Sequence, residues 1–234
     1  MKLKHLTLDR IVDAAYYCGI DGTPVSLIIA APPGAGKTWS TRSISGCDFV
    51  MYLSGTYSPN EHRKIVKEAA ARTRLIINDD LGLTSRWNQS EYYATFAMIS
   101  DGRVQYTVWR TSHITPINCS LILCCTYDYY RMNRDKMLEM GLLDRVVPLV
   151  MGLSFETRKQ YQKYREHTSI RSNGPTEREP AEPPTPRTVK TDLISRKDID
   201  PRMFLNLQRL SQYLTEEETV ELIEIAHSEG KYEI

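Results

Sequence analysis

An apolar run, Val25-Ser-Leu-Ile-Ile-Ala30, passes directly into Ala31-Pro-Pro-Gly-Ala-Gly-Lys-Thr38. A strand that ends in a Pro/Gly-rich turn and opens a helix at Gly-Lys-Thr has few ways to fold. It is the pattern of a phosphate-binding loop, in which Gly34 and Gly36 let the backbone curl so that its N–H groups point at phosphate oxygens. The new helix turns its positive dipole end to the same place. Lys37 reaches the outer phosphates and Thr38 can bind Mg²⁺, so the contact stretch is Pro33, Gly34, Ala35, Gly36, Lys37, Thr38 and Trp39. Ala31 stands where the strict pattern has Gly.

Residues 74–82 read Arg-Leu-Ile-Ile-Asn-Asp-Asp-Leu-Gly, a short apolar run closed by paired acids. A buried strand carrying Asp79 and Asp80 at its C-terminal end places them where open α/β sheets bind ligands. One carboxylate can hold Mg²⁺ and the other can polarise an attacking water. By position Asp79 takes the metal and Asp80 acts as catalytic base. Asn78 interrupts the apolar run one residue early, which a purely structural strand does not require.

At 234 residues the chain can hold one α/β domain and a small appendage. No apolar run approaches the roughly 18–20 residues of a membrane span, and Met1-Lys-Leu-Lys-His5 is no secretory signal. Cys18, Cys47, Cys119, Cys124 and Cys125 have neither zinc nor disulfide spacing, so reduced buried thiols and a cytoplasmic location are expected. The net charge of +1 is uneven. Residues 171–234 hold 9 Lys and Arg against 13 Asp and Glu, a net −4, leaving +5 on residues 1–170. A mildly basic core is compatible with nucleic acid, and equally with an enzyme for anionic nucleotides.

Strand and helix signals alternate over 8–153, which implies a mainly parallel sheet covered on both faces. The pattern predicts an amphipathic helix over 8–17 and strands over 25–31 and 47–54. A capping box, Ser58-Pro-Asn-Glu61, opens a helix running to about residue 73. Then come a strand over 74–79, a helix over 90–100, a hairpin from 104–109 and 114–118, and a strand over 120–126. Asn133 should cap a short helix ending at Gly141, ahead of a last strand over 146–151. Pro148 cannot donate to a ladder, so that strand belongs at a sheet edge.

Between Thr38 and Leu75 there is room for one strand and one helix. In this the chain resembles the AAA+ ATPase core, over roughly residues 8–153. The run Ile76-Ile-Asn-Asp-Asp-Leu-Gly82 is similar to the acidic motif of bacterial helicase loaders and transposition-regulator ATPases. The resemblance implies a three-layer P-loop core, ATP and Mg²⁺ as ligands, ATP hydrolysis, and a homo-oligomeric ring or filament of six subunits. It places a polar sensor at Thr126, where the alternative is a threonine that simply ends a strand. It also places a trans-acting arginine at Arg145, in Gly141-Leu-Leu-Asp-Arg-Val-Val147, where a surface ion pair with Asp144 or another acid is the alternative. Arg131 and Arg134 are further candidates for that role.

The pattern departs from the family after residue 153. A helix can start over 154–166, but 172–200 is Pro-rich and reads as an extended linker, dividing the chain into a core (1–170), a linker (171–200) and a C-terminal two-helix segment (201–234). The helices are expected over 201–214 and 216–228, the second capped by Thr215 with Glu218. They form either a substitute lid or, preferred on the reach of the linker, a docking module for a protein partner. Arg103, Tyr106, Trp109 and Arg110 mix cations with aromatics, which suits phosphate contact and base stacking, although the same hairpin can pack its aromatics on the domain. Two functional classes follow. One is a DNA-associated ATPase that loads, remodels or recruits a helicase, transposase or similar machine. The other is an AAA+ protein-remodelling chaperone; nucleic-acid packaging fits the motif spacing less well.

Overall fold

The computed structural model describes residues 5–53, 58, 61, 64–67, 72–83, 89–108, 111–152, 177–182, 200–228 and 232–233. Its centre is a sheet built from strands too apolar to face water on either side. Strands β1 (Ser26–Ala30), β3 (Leu75–Asn78) and β6 (Ser120–Cys125) are buried at every position, as expected of parallel strands covered on both faces. With β2 (Val50–Leu53), β7 (Val147–Gly152) and the two-residue β8 (Tyr232–Glu233), they lie in the order β2-β3-β6-β1-β7-β8, and every pairing is parallel. The chain is therefore α/β with a parallel sheet.

Alternate residues of each strand feed two cores. Leu27, Ile29, Leu75, Ile77, Ile122, Cys124, Val147 and Leu149 face one layer, which holds helix α1 (Leu8–Ile20). Ile28, Ala30, Ile76, Leu121, Leu123 and Cys125 face the other, with helices α3 (Gln89–Ser100) and α4 (Tyr127–Glu139). This is the period-two consequence of strand geometry, and it makes three layers. Helix α2 (Lys37–Ser43) follows β1 directly and packs beside α1. A separate antiparallel pair, β4 (Arg103–Val108) and β5 (Thr111–Pro116), stands between α3 and β6. Pro148 pairs with β1 on one side, and among the described residues no strand pairs with its other side, since β8 joins only at Met151 and Gly152.

Several local expectations shift. The strand expected from residue 47 begins at Val50, because Phe49 takes a left-handed conformation (φ 65°) ahead of it. The capping box holds: the Glu61 carboxylate accepts from the Ser58 amide at 3.0 Å, and Ser58 Oγ accepts from the Glu61 amide at 3.3 Å. Asn133 does not cap a helix. Helix α4 starts six residues earlier, because the Thr126 hydroxyl accepts from the Tyr129 amide at 3.2 Å and Asp128 suits the first turn. Asn133 instead donates from mid-helix to the Tyr129 carbonyl at 2.9 Å. The five cysteines are free thiols; burial pushes the Cys119 and Cys125 thiols up to about 12. The helix expected over 154–166 lies outside the described residues.

Helices α5 (Pro201–Ser211) and α6 (Glu216–Ser228) pack on the chain's own α1 and β7. Leu207, Leu210, Leu222 and Ile225 join Ile11, Val12 and Leu149 in one apolar cluster. The faces that the linker's reach suggested for a partner are thus covered internally. Part of that linker is itself anchored. Arg178 donates to the buried Asp13 carboxylate at 2.9 Å and to Ser43 Oγ at 3.0 Å, while the Ala181 amide donates to Asp13 at 3.2 Å. No helix among the described residues is long and apolar enough to cross a membrane.

Candidate active site

Because the strands of the central sheet all run the same way, their C-terminal ends meet at one edge. Asn78 pairs with Leu123, and Leu123 with Ile28. Asp79 and Asp80 therefore stand level with the last residues of β6 and β1, beside the loop that leaves Ala30. The Ala31 amide donates to the Cys125 carbonyl at 3.3 Å, tying that loop to β6. Gly34 and Gly36 hold φ of 84° and 85°, values that only glycine takes without strain, so the turn needs glycine at both positions. Gly36 is the N-cap of α2 and Lys37 its first residue.

Lys37 lies between the loop and the acids. Its ammonium donates to the carbonyls of Ala31 at 2.6 Å and Pro32 at 3.1 Å. Burial pushes its pKa below the usual lysine value, and neighbouring Cys124, Cys125, Asp80 and Asp79 counter part of that shift. Thr38 and Trp39 are exposed at the start of α2, Trp39 by 55%; Pro33 is exposed and Ala35 buried in the turn. The loop, Lys37, Thr38, Asp79, Asp80 and Thr126 thus share one edge of the sheet.

The two acids differ in their partners. Asp80 Oδ1 accepts from the Gly82 amide at 2.7 Å, capping the short 3₁₀ turn Leu81–Leu83. Asp79 Oδ1 contacts Thr41 Oγ1 at 3.2 Å. Sequence reasoning paired Asp79 with Thr38 and missed Thr41; the signal was the helical spacing, since Thr41 lies one turn beyond both Lys37 and Thr38. It also missed Tyr52 of β2, whose buried hydroxyl lies beside Asp79 and Thr41 without a formed hydrogen bond. Burial and the Asp79 carboxylate push that phenol's pKa well above the ordinary value. Asn78 Oδ1 is a second buried oxygen without a partner. Among the described residues no three His, Cys, Asp or Glu side chains converge as a metal cage.

Arg145 is at the other end of the sheet. It precedes β7, which pairs Val147 with Leu27. At about 3.3 Å per residue it lies roughly 20 Å below the loop that leaves Ala30. There its Nη1 donates to the Gly141 carbonyl at 2.5 Å and its Nε lies 2.8 Å from Asp101 Oδ1. The surface-ion-pair alternative is thus realised, with Asp101 rather than Asp144. The β4–β5 hairpin hangs from the same lower edge, where the Ile117 amide donates to the Gly102 carbonyl at 2.8 Å. Arg103 is exposed at its base opposite Pro116, and Tyr106 pairs with His113 across it. Trp109 and Arg110 lie outside the described residues.

Neither the models of known protein families nor the curated proteins contain a match to this chain.

Proposed function

We propose that the chain is an ATPase of the AAA+ type, working as a homo-oligomeric motor or switch in DNA transactions. The observation that carries this is the convergence of Lys37, at the start of α2, with Asp79 and Asp80 at the end of β3, at the C-terminal edge of one parallel sheet. The intervening strand β6 is followed at once by Thr126, between the loop and the acids, where a hydroxyl can sense an outer phosphate. In this reading its capping bond to Tyr129 fixes the hydroxyl's direction.

The residues suit a nucleotide triphosphate carrying Mg²⁺, which binds through one or two carboxylates and the phosphates. The two carboxylates, the α2 hydroxyls and the unmatched oxygens of Tyr52 and Asn78 offer such a polar edge. Thr38 and Asp79 would hold the ion, which neutralises charge on the phosphates. The loop amides and Lys37 orient the phosphate chain. Asp80, with Oδ1 occupied by the Gly82 amide, keeps Oδ2 to accept a proton from the attacking water.

Arg145, too far from its own loop, serves a neighbouring subunit's phosphates in this reading, which supports assembly. The exposed hairpin at the lower edge, with Arg103 at its base, supports DNA as the polymer. The test is hydrolysis of ATP by the purified chain, with and without DNA. Mg²⁺-dependent hydrolysis stimulated by DNA is expected. Hydrolysis indifferent to DNA would transfer the reading to protein remodelling, and no nucleotide binding would end it.

A further inference from the structure

Tyr52 belongs to none of the motifs, yet it stands against the residue expected to hold the metal. It pairs with Ile77 across β2 and β3. Tyr52, Ile77 and Asp79 therefore share one face of the sheet, the face that carries α1 and α2. Its ring fills space in that core, which a phenylalanine would do equally well. Its hydroxyl is buried without a formed hydrogen bond, a costly state for a polar group.

The surroundings say what the hydroxyl is for. Thr41 has one hydroxyl hydrogen, and three acceptors lie within reach of it. These are the Lys37 carbonyl at 3.0 Å, the Thr38 carbonyl at 3.4 Å and Asp79 Oδ1 at 3.2 Å. A threonine inside a helix commonly bonds back to its own preceding turn, and the Lys37 carbonyl is the nearest of the three. Asp79 is then left short of a donor on its α2 side. Tyr52 is the other hydroxyl beside that carboxylate.

We propose that Tyr52 is a positioning residue: its hydroxyl donates to the Asp79 carboxylate when a divalent cation is held, fixing the carboxylate's orientation toward the ion. This rests on the nucleotide reading above. Residues that orient a metal ligand from behind typically change metal affinity by about 10- to 100-fold when removed.

The test compares the full-length wild type with Tyr52→Phe. It reads the thermal midpoint without nucleotide, the affinity for a fluorescent ATP analogue in EDTA, and the Mg²⁺ concentration that half-saturates its tighter binding. The phenylalanine variant should melt at or above the wild-type temperature, since it loses an unmatched polar atom, and its affinity in EDTA should not change. Its Mg²⁺ half-saturation should rise about tenfold or more. Thr41→Val, which also removes a hydroxyl beside Asp79, should be additive with it or weaker. An unchanged Mg²⁺ requirement in Tyr52→Phe overturns the positioning role alone. So does a fall in both midpoint and EDTA affinity, which marks the hydroxyl as structural. A wild type that binds the analogue neither with Mg²⁺ nor in EDTA overturns the nucleotide reading, and this inference with it.

Discussion

Asp101 holds Arg145 at the end of the sheet farthest from the Gly34–Gly36 turn, with Oδ1 and Nε 2.8 Å apart. The arginine Nε makes no formed hydrogen bond, so the contact is an ion pair more than a directed bond. The same carboxylate oxygen takes Arg202 Nη1 of α5 at 3.3 Å. Two guanidinium groups on one oxygen mean that either can leave without stranding the acid.

That arrangement bears on assembly. If Arg145 acts across a subunit boundary, it must first leave Asp101, and Arg202 then neutralises the carboxylate. Arg145→Ala should bind ATP as the wild type does and lose hydrolysis. Mixing it with a Lys37→Ala subunit should restore part of the activity, because each supplies what the other lacks. Asp101→Asn removes the competing partner. A partly exposed ion pair is worth about 0.5–1 kcal/mol, so steady-state hydrolysis at limiting protein concentration should rise about two- to fivefold. A monomeric mass in ATP and no rescue on mixing would remove the oligomeric reading.

The two acids separate by role. Lys37→Ala should abolish nucleotide binding or hydrolysis, because the loop amides cannot replace the cation at the outer phosphates. Asp80→Asn should keep Mg²⁺-dependent nucleotide binding yet slow turnover by a factor on the order of 10² to 10⁴, the usual scale for losing a positioned base. Trp39, exposed one residue past Thr38, gives a convenient signal: its fluorescence should change on nucleotide addition in Asp80→Asn but not in Lys37→Ala. Normal turnover in Asp80→Asn would show that the base is elsewhere.

Asp13 and Arg178 make a stability prediction with a definite sign. Desolvation raises the Asp13 pKa above its ordinary value, and the Arg178 guanidinium and Ala181 amide counter part of that rise. An acid whose folded-state pKa is raised takes up its proton at higher pH folded than unfolded, so the cost of its buried charge is fully present at neutral pH. That cost is relieved as pH falls through the folded value. Arg178→Ala removes the counter-charge and pushes the pKa further up. It should destabilise the chain at neutral pH by about 3–5 kcal/mol, the scale for breaking a buried pair. The gap from wild type, measured by urea unfolding, should narrow as pH is lowered from neutral through the acidic range. In an Asp13→Asn background the effect of Arg178→Ala should lose this pH dependence.

Much of the sheet was legible because its signals are local. The run Ser26–Ala30 is apolar at nearly every residue and is followed by the glycines that the turn requires. Pro148 marks an edge through a missing donor. The site's acids were legible for the same reason, being the end of a short run. What escaped was decided by tertiary contact. Tyr52 reads as an ordinary aromatic in an apolar strand, and only the β2–β3 register brings it to Asp79. Thr41 reads as an ordinary helix residue until α2 is laid over β3. Asp101 closes a helix 44 residues before Arg145, and no spacing rule connects them. Residues 177–182 read as linker because Pro and Glu dominate them, whereas Arg178 finds a buried acid on α1.

The C-terminal helices give the last prediction. Their amphipathic pattern does not say which apolar surface they cover, and the structure answers that it is their own chain's. Leu207, Leu210, Leu222 and Ile225 are fully buried among residues of α1 and β7. Polar contacts lock the same interface: Arg10 Nε donates to Glu218 at 2.8 Å, Asn206 Oδ1 accepts from the buried Ser26 amide at 3.1 Å, and Arg209 donates to the Pro24 carbonyl at 2.6 Å. The Asn206 and Arg209 anchors lie at the N-terminal end of β1, so α5 braces the end of the sheet opposite the Gly34–Gly36 turn. Leu207→Ala or Leu222→Ala should each cost about 2–5 kcal/mol, as large-to-small changes in a packed core do. A chain ending near Asn173 would expose the α1 face as well as the flank of β7. It should lose cooperative unfolding and solubility, and with them nucleotide binding. A truncated chain that stayed soluble with wild-type ATPase activity would show that the helices are a detachable module, and would return them to a partner.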